Sequence, residues 1–273
     1  YGEKRLQTGY KMIKTISKTG DTTALVNRLT SAARKAQVTL GASNFLTRQK
    51  ALCETAKIIR AQTDDILTEN KKDLATAQSS LTDALIDRLT LTESRIEDMA
   101  VGLETITEQP DPIGIKLAQW QRPNGLNITR LSVPIGVIGV IYESRPNVTI
   151  DAAGLCVLAG NAVILRGGSD SQNTSAFLAN IVIQGLQAVG LPANAVQIVP
   201  TTDRTAVGAM LGAVGGIDVI IPRGGKSLVE RVHRDARVPV FAHLAGVCHL
   251  YIDKYANLEK ARSVALNAKM RRT

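Results

Sequence analysis

Hydrophobic positions in this chain follow a helical period up to about residue 110 and a strand-and-helix alternation beyond it. Over 25–38, Leu25, Leu29, Ala32, Ala33 and Ala36 fall on one stripe, the spacing of an amphipathic helix. Ser43 or Asn44 is placed to cap a second helix that carries Phe45, Leu52, Ala56 and Ile59 on one face. Helical spacing continues over 64–78, 81–88 and 92–107, where Thr92 opens an imperfect capping box with Arg95 in the acidic position. These helices carry no chemical cluster and read as a scaffold layer packing on a sheet. Residues 1–24 are basic and weakly patterned and are expected to form a flexible extension. Gln109-Pro110-Asp111-Pro112 ends the helical part.

Two strands then follow, over 116–121 and 126–132, joined around Pro123-Asn124-Gly125 as a hairpin, with Trp120, the only tryptophan, in the first. Residues 133–142 are almost entirely Val, Ile, Gly and Pro, as expected of a strand buried on both faces of a parallel sheet. That run ends in Glu143-Ser144-Arg145-Pro146-Asn147, and a helix is expected over 150–158. A second apolar run, 162–165, ends in Arg166-Gly167-Gly168-Ser169-Asp170. A helix over 173–189 stops at Gly190-Leu191-Pro192. A strand over 196–199 leads to Thr201-Thr202-Asp203-Arg204, and a helix over 206–211 follows. A further strand, 217–221, leads to Arg223-Gly224-Gly225-Lys226-Ser227, then come a helix to about 236 and an apolar strand over 238–242. Strand–helix alternation of this kind predicts an α/β fold with a mostly parallel sheet and right-handed crossovers.

Composition narrows the function. The 273 residues are 44% hydrophobic and 21% charged, and no apolar run approaches the ~20 residues of a membrane span. A net charge of +9 suits either nucleic acid or an anionic substrate with a phosphorylated cofactor. The basic residues are spread out and aromatics are 3%, too few for base-stacking platforms, so nucleic acid is not the expected partner. Three cysteines without metal-type spacing point to a reducing compartment, and the cytoplasm is the expected location. The start at Tyr1, without a secretory signal, suggests a fragment, from which a removed leader would be invisible.

Candidate chemistry gathers at the strand ends, where open α/β sheets bind their ligands. The dinucleotide fingerprint G-x-G-x-x-G is absent: Gly136 and Gly139 lie within the expected strand and fit close backbone packing instead. Gly225-Lys226-Ser227 matches the end of a phosphate-binding P-loop, but the required first glycine is Ile220. Three basic or glycine-rich loops remain, after 165, 200 and 222. Each is either an ordinary solvated turn or a place where backbone N–H groups and a helix N-terminus meet a phosphate; all three on one sheet edge favour a nucleotide cofactor. Arg166 is suited to pairing a phosphate bidentately. Asn147 has two open readings, a helix N-cap or an amide donor to an oxyanion. His243, Cys248 and His249 lack a fourth metal ligand, and adjacent residues on an extended segment face opposite ways, so neither a metal site nor a Cys–His pair is expected. His233 reads as a surface residue.

Taken together, RPNGLNITRLSVPIGVIGVIYESRPNVTIDAAGLCVLAGNAVILRGGSDS, IIPRGGKSLV, HLAGVCHLYID and the terminal NAKMRRT resemble the aldehyde dehydrogenase superfamily, and within it the branch that reduces gamma-glutamyl phosphate. The likeness runs from about Val26 to Thr273. It implies an aldehyde-dehydrogenase-like α/β fold: a mostly parallel, Rossmann-like NADP-binding domain over 25–240, with an amino-terminal helical layer and a hairpin at about 115–132, and the start of a catalytic domain over 241–273. It implies NADPH-dependent reduction of L-glutamate 5-phosphate to L-glutamate 5-semialdehyde and phosphate through a cysteine thioester, the second step of L-proline biosynthesis. By the same likeness Asn147 is the oxyanion donor and Ser144 and Arg145 hold substrate. Arg166, Gly167, Gly168 and Ser169 face the cofactor ribose, and Gly224, Gly225, Lys226 and Ser227 face its diphosphate. The glutamate 5-kinase that makes the substrate is an implied partner, as is a homo-oligomer of the whole protein. In the oxidising relatives a Glu-Leu-Gly-Gly segment activates water; here the letters are His243-Leu244-Ala245-Gly246, which fits reduction. The family's nucleophilic cysteine follows shortly after Arg271-Arg272-Thr273 and is none of Cys53, Cys156 and Cys248. The chain is therefore expected to be an amino-terminal fragment, inactive alone. An aldehyde-oxidising dehydrogenase and a non-catalytic nucleotide-binding module are the alternatives.

Overall fold

A computed structural model describes residues 19–77, 81–242 and 248–270, and divides the chain into two compact units, Tyr1–Ala242 and His243–Thr273. The core of the first unit is a four-stranded parallel sheet, β3 (Val137–Tyr142), β4 (Ala162–Arg166), β5 (Val196–Ile198) and β6 (Val219–Arg223), in the order β5-β4-β3-β6. Ile138 pairs with Val163 on one side and with Val219 on the other, so β3 is central and buried along its whole length. The chain moves outward from β3 to β4 to β5 and then returns across to β6. That reversal opens a crevice between the carboxyl ends of β3 and β6, the switch point at which doubly wound sheets take their ligands. A further extended segment adds to the edge beyond β6 through Ile220 N–H to Pro239 O (2.8 Å) and Phe241 N–H to Ile220 O (2.9 Å), in place of the full strand expected over 238–242.

Side chains alternate across the sheet as pleating requires. Ile138, Val140, Tyr142, Val163 and Leu165 join one apolar cluster, and Val137, Ile141, Ala162, Ile164 and Ile220 join another. Helices α6 (Asn147–Leu158) and α7 (Gln172–Ala188) cover the first face. The second face is covered by α1 (Thr19–Ala42), α8 (Thr205–Leu211) and α9 (Lys226–Asp235). The remaining helices are α2 (Phe45–Ala61), α3 (Thr63–Ala77), α4 (Asp83–Leu89) and α5 (Glu93–Thr107). Of these, α2, α3 and α5 pack on α6 and α7 rather than on the sheet. The expected scaffold layer is thus split: α1 lies on the sheet and the others form an outer layer. The cause is that α6 is apolar nearly all round, so it needs cover on both sides. Gly154 permits the approach of α5, since a Cβ there would sit 2.6 Å from Leu103, and Gly185 does the same for α2, at 2.0 Å from Thr55.

Local sequence explains the element ends. Asn44, not Ser43, caps α2, its Oδ1 accepting from Thr47 N–H at 2.8 Å, and Thr92 caps α5 by accepting from Arg95 N–H. Asp73, buried on α3, accepts from the N–H and side chain of both Asn173 and Thr174, capping α7 from a different helix. The fully buried Arg48 binds Leu158 O and Ser43 O and pairs with Asp111 at 2.8 Å, tying α2 to the end of α6 and to the Pro-Asp-Pro break. The hairpin β1 (Lys116–Gln121) and β2 (Asn127–Leu131) turns at Gly125, which is left-handed at φ +83°, as a Pro-Asn-Gly turn requires.

Three expectations need adjustment. The central strand begins at Val137 rather than at 133, because Val133 and Ile135 are exposed and Gly136, at φ +131°, turns the chain into the sheet. A Cβ at Gly136 would strike the Asp218 carboxylate, which accepts from Val137 N–H. Helix α1 begins at Thr19, so residues 19–24 of the expected extension are helical, and 1–18 lie outside the described residues. Helix α6 begins at Asn147, three residues before the expected start.

The second unit contains α10 (Leu258–Met270), capped by Asn257, whose Oδ1 accepts from Lys260 N–H at 2.9 Å. None of the residues of α10 is buried. His243, Leu244, Ala245 and Gly246 lie outside the described residues.

Candidate active site

The three loops singled out in sequence all leave the same edge of the sheet. The β3 loop opens with Tyr142 fully buried, its hydroxyl 2.7 Å from Thr149 Oγ1; burial pushes the phenol up from its ordinary value. Glu143 comes next, and its Oε2 accepts from Gly225 N–H at 2.8 Å. Gly225 is the N-cap of α9, so a carboxylate of the chain itself already rests on this helix terminus. Ser144 follows at φ +37°, the one non-glycine residue with a left-handed backbone among those described. Its hydroxyl donates to Asp170 Oδ2, across the gap from β3 to the β4 loop. Ser144 is buried and Arg145 exposed. The Ser144 hydroxyl, expected to face substrate, is thus engaged as a brace between the two loops.

Asn147 is the first residue of α6, half-buried, and its Nδ2 donates to Asp151 Oδ2 one turn on, at 3.1 Å. The N-cap position is held by Pro146, with no side-chain cap bond, so the capping reading of Asn147 fails. Its amide has two N–H bonds; one is anchored on Asp151 and the other is left for a ligand. Desolvation raises the Asp151 carboxyl above its ordinary value, against the lowering pull of the Asn147 amide and of Arg223.

Arg166 ends β4 and is buried, with Nη1 donating to Gly167 O (2.7 Å) and Nη2 to Thr202 O (3.1 Å). Both partners are neutral carbonyls. Burial and then the neighbouring Arg204 push the guanidinium below its ordinary value, while Asp170 and Tyr142 pull it back and Arg231 adds to the lowering. Its Nε is buried without a hydrogen-bond partner. A buried cation with an orphaned donor is suited to meeting an anion.

Glycine is needed in these loops for space. A Cβ at Gly167 would press the Tyr142 ring at 3.2 Å, and one at Gly168 would strike the Asp170 carboxylate at 2.2 Å. A Cβ at Gly224 would strike Glu143 at 2.4 Å. Ser169 begins a short 3-10 turn, and Gly224, Gly225, Lys226 and Ser227 are all exposed, with Lys226 3.6 Å from Glu230. Gly-lined backbone, the α9 terminus and the orphaned guanidinium together fit a phosphorylated dinucleotide. Glu143, Asp151 and Asp170 brace the named residues, a role that sequence reasoning gave to none of them; it grouped Glu143 with the residues facing the acyl group. Glu143 after β3 and Asp170 in the β4 loop were the signal, legible only once the loops are known to meet.

None of the described cysteines is built as a nucleophile here. Cys156 is buried in α6, its thiol pushed up to about 12 by desolvation, Cys53 is half-buried on α2, and Cys248 is exposed in the second unit. Among the described residues no three His, Cys, Asp or Glu side chains form a metal-binding group.

The model of the aldehyde dehydrogenase family matches residues 9–273. The chain is 54% identical over 255 residues to the gamma-glutamyl phosphate reductase of Brucella anthropi and 53% identical over 255 residues to that of Parvibaculum lavamentivorans. Both alignments cover 93% of this chain and 60% of the relative, so the chain spans about 60% of the length of the curated relatives it matches. Among solved structures, the gamma-glutamyl phosphate reductase of Thermotoga maritima is similar at TM-score 0.84 and 35% identity, covering 90% of this chain and 60% of that one. The Saccharomyces cerevisiae enzyme of the same name is similar at TM-score 0.74 and 32% identity, covering 90% and 62%. With a switch-point sheet bearing these loops and the family's pattern matched over nearly all of its length, the chain belongs to the aldehyde dehydrogenase family.

Proposed function

We propose that the crevice at the carboxyl ends of β3, β4 and β6 binds NADPH, and that the whole protein uses it to reduce L-glutamate 5-phosphate to L-glutamate 5-semialdehyde. The observation that carries this reading is the identity of more than half, over 255 residues, to enzymes named gamma-glutamyl phosphate reductase. The crevice supplies the matching chemistry. Gly167, Gly168 and Gly224 keep added side chains out of the crevice, Lys226 and Ser227 begin α9, where a phosphate takes the place that Glu143 holds on the Gly225 N–H, and Arg166 supplies buried positive charge. The second Asn147 N–H is available to the oxygen of the reacting acyl group, with Arg145 beside it for the substrate's anionic ends.

In this reading a cysteine thiolate, outside Cys53, Cys156 and Cys248, attacks the acyl carbon of the acyl phosphate, the bond from that carbon to the bridging oxygen breaks, and inorganic phosphate leaves. The resulting thioester accepts hydride, and the hemithioacetal collapses to aldehyde and thiolate. The nicotinamide supplies that hydride. Asn147 stabilises the oxygen that becomes negative in both additions. His243, where oxidising relatives carry glutamate, removes the water-activating group and favours reduction.

Residues 25–240 then form the NADP-binding domain and 241–273 begin the catalytic domain. The whole protein is proposed to be a cytoplasmic homo-oligomer fed by a glutamate 5-kinase. Exposed Leu117, Trp120 and Leu131 on the hairpin suit a subunit contact, and among the described residues no helix is long and apolar enough to cross a membrane.

The test is phosphate-dependent reduction of NADP+ by L-glutamate 5-semialdehyde, the reaction run backwards, in the whole protein. Activity that requires phosphate supports the reading. Oxidation of simple aldehydes without phosphate would overturn it in favour of an aldehyde-oxidising enzyme.

A further inference from the structure

In the empty chain an acid of the chain itself occupies the α9 terminus. The Glu143 Oε2 accepts from the Gly225 N–H at 2.8 Å, and Gly225 is the N-cap of α9. The first N–H groups of a helix have no intrahelical partner, so a carboxylate there satisfies a donor and meets the positive end of the helix dipole. The fit is close, since a Cβ on Gly224 would stand 2.4 Å from the same Oε2. Glycine at 224 therefore makes room for Glu143. The carboxylate enters none of the ion pairs among the described residues, so this amide is its anchor.

The backbone around this carboxylate is fastened on both sides. The Glu143 N–H donates to Arg223 O at 3.2 Å, which holds residue 143 to the end of β6. Ser144, at φ +37°, donates from its hydroxyl to Asp170 Oδ2 in the β4 loop. The Glu143 side chain, by contrast, is exposed and held by one hydrogen bond. A change of its rotamers clears the terminus while residues 144–147 stay where they are. A diphosphate, with more charge and more acceptor oxygens than a carboxylate, is the stronger occupant of the same place.

We propose that Glu143 is a built-in competitor of the cofactor: its carboxylate fills the α9 terminus of the empty chain, swings out when NADPH arrives, and sets the affinity of the crevice below what its donors alone would give. The proposal rests on the cofactor assignment of the preceding section. A ligand that must wait for a closed contact to open loses affinity in proportion to the closed fraction. The exchange keeps the Gly225 N–H satisfied in both states, so the terminus is never left bare.

The test is titration of NADPH into the 273-residue chain and its Glu143→Ala and Glu143→Gln variants, with amide hydrogen exchange followed at Gly225. Glu143→Ala should bind NADPH about threefold or more tightly than the unaltered chain. Glu143→Gln, whose amide oxygen is the weaker acceptor, should gain less. The gain should persist at about 0.5 M salt, where charges that merely repel at a distance are screened. Without NADPH the Gly225 amide should exchange severalfold faster in Glu143→Ala than in the unaltered chain, and NADPH should slow it in both. A purely structural role would weaken binding instead. Unchanged or weaker binding by Glu143→Ala that still unfolds cooperatively would overturn the proposal, as would a gain that salt abolishes or a Gly225 amide that ignores the substitution. If Glu143→Ala does not fold, Glu143→Gln decides by the same criteria. Failure of the folded unaltered chain and both folded variants to bind NADPH would defeat the cofactor assignment, and this proposal with it.

Discussion

At the level of single residues, the candidate site works by holding donors still. Asn147 keeps one N–H on Asp151, which directs the other. On the proposed role of Asn147 as oxyanion donor, Asn147→Ala in the whole protein should slow thioester formation by about 10²-fold. Asp151 acts through Asn147, so its signature is a pH profile. Its carboxyl is raised above the ordinary aspartate value, and the ionised form is the better acceptor. As pH falls through that raised value the anchor weakens, so activity should decline on the acid side at a higher pH than an ordinary aspartate would impose. Asp151→Asn, which still offers an oxygen, should flatten that acid limb while keeping most of the rate at neutral pH. An unchanged acid limb would remove Asp151 from the account. Cys156 behaves in the opposite way to a nucleophile: with its thiol raised to about 12, it should resist a thiol reagent at pH 8 until the chain unfolds, whereas exposed Cys248 reacts at once.

Among the elements, the loops that meet at the crevice are braced by one another's side chains. Ser144 and Asp170 join the β3 and β4 ends, and Glu143 joins β3 to α9. Helix α7, which follows the β4 loop, is fixed by Asp73 of α3 through four accepted hydrogen bonds. Asp73→Ala leaves the buried N–H and hydroxyl of Thr174 unpaired, along with the more exposed donors of Asn173, and should cost about 2–3 kcal/mol in denaturant unfolding. Most of these elements are legible from their ends. Asn44, Thr92, Gly125 and Gly190 mark caps and turns through local chemistry that needs no tertiary partner. The start of β3 is not legible, because Val133 and Ile135 continue the apolar run while Gly136 turns the chain for the sake of the distant Asp218. Likewise, nothing local shows that α2, α3 and α5 lie on helices instead of on the sheet; that follows from α6 being apolar on both sides.

For the molecule as a whole, strand order was the information that sequence withheld. Alternating strands and helices announce a parallel sheet, but only the return from β5 across to β6 creates the crevice and brings Glu143 to Gly225. The loops at Arg166 and Gly224 stand out in the sequence as candidates for an anion through their glycines and charges. The braces at Glu143, Asp151 and Asp170 do not, since each acts on a residue in another loop or one helical turn away. The site is therefore a product of topology acting on short motifs. A ligand seated there should also stabilise the first unit, by an amount that grows logarithmically with its concentration above Kd.

The central claim is that this crevice, and not some other surface, binds the dinucleotide. Titration of NADPH into the 273-residue chain beside its Gly168→Ala variant tests it most directly. A Cβ at position 168 would strike Asp170 at 2.2 Å and disturb its bond to Ser144, at the heart of the crevice and far from any change in charge. The account predicts one NADPH per unaltered chain, and at least tenfold weaker binding by the variant with its cooperative unfolding retained. Undiminished binding by Gly168→Ala, or no binding by a folded unaltered chain, would contradict it.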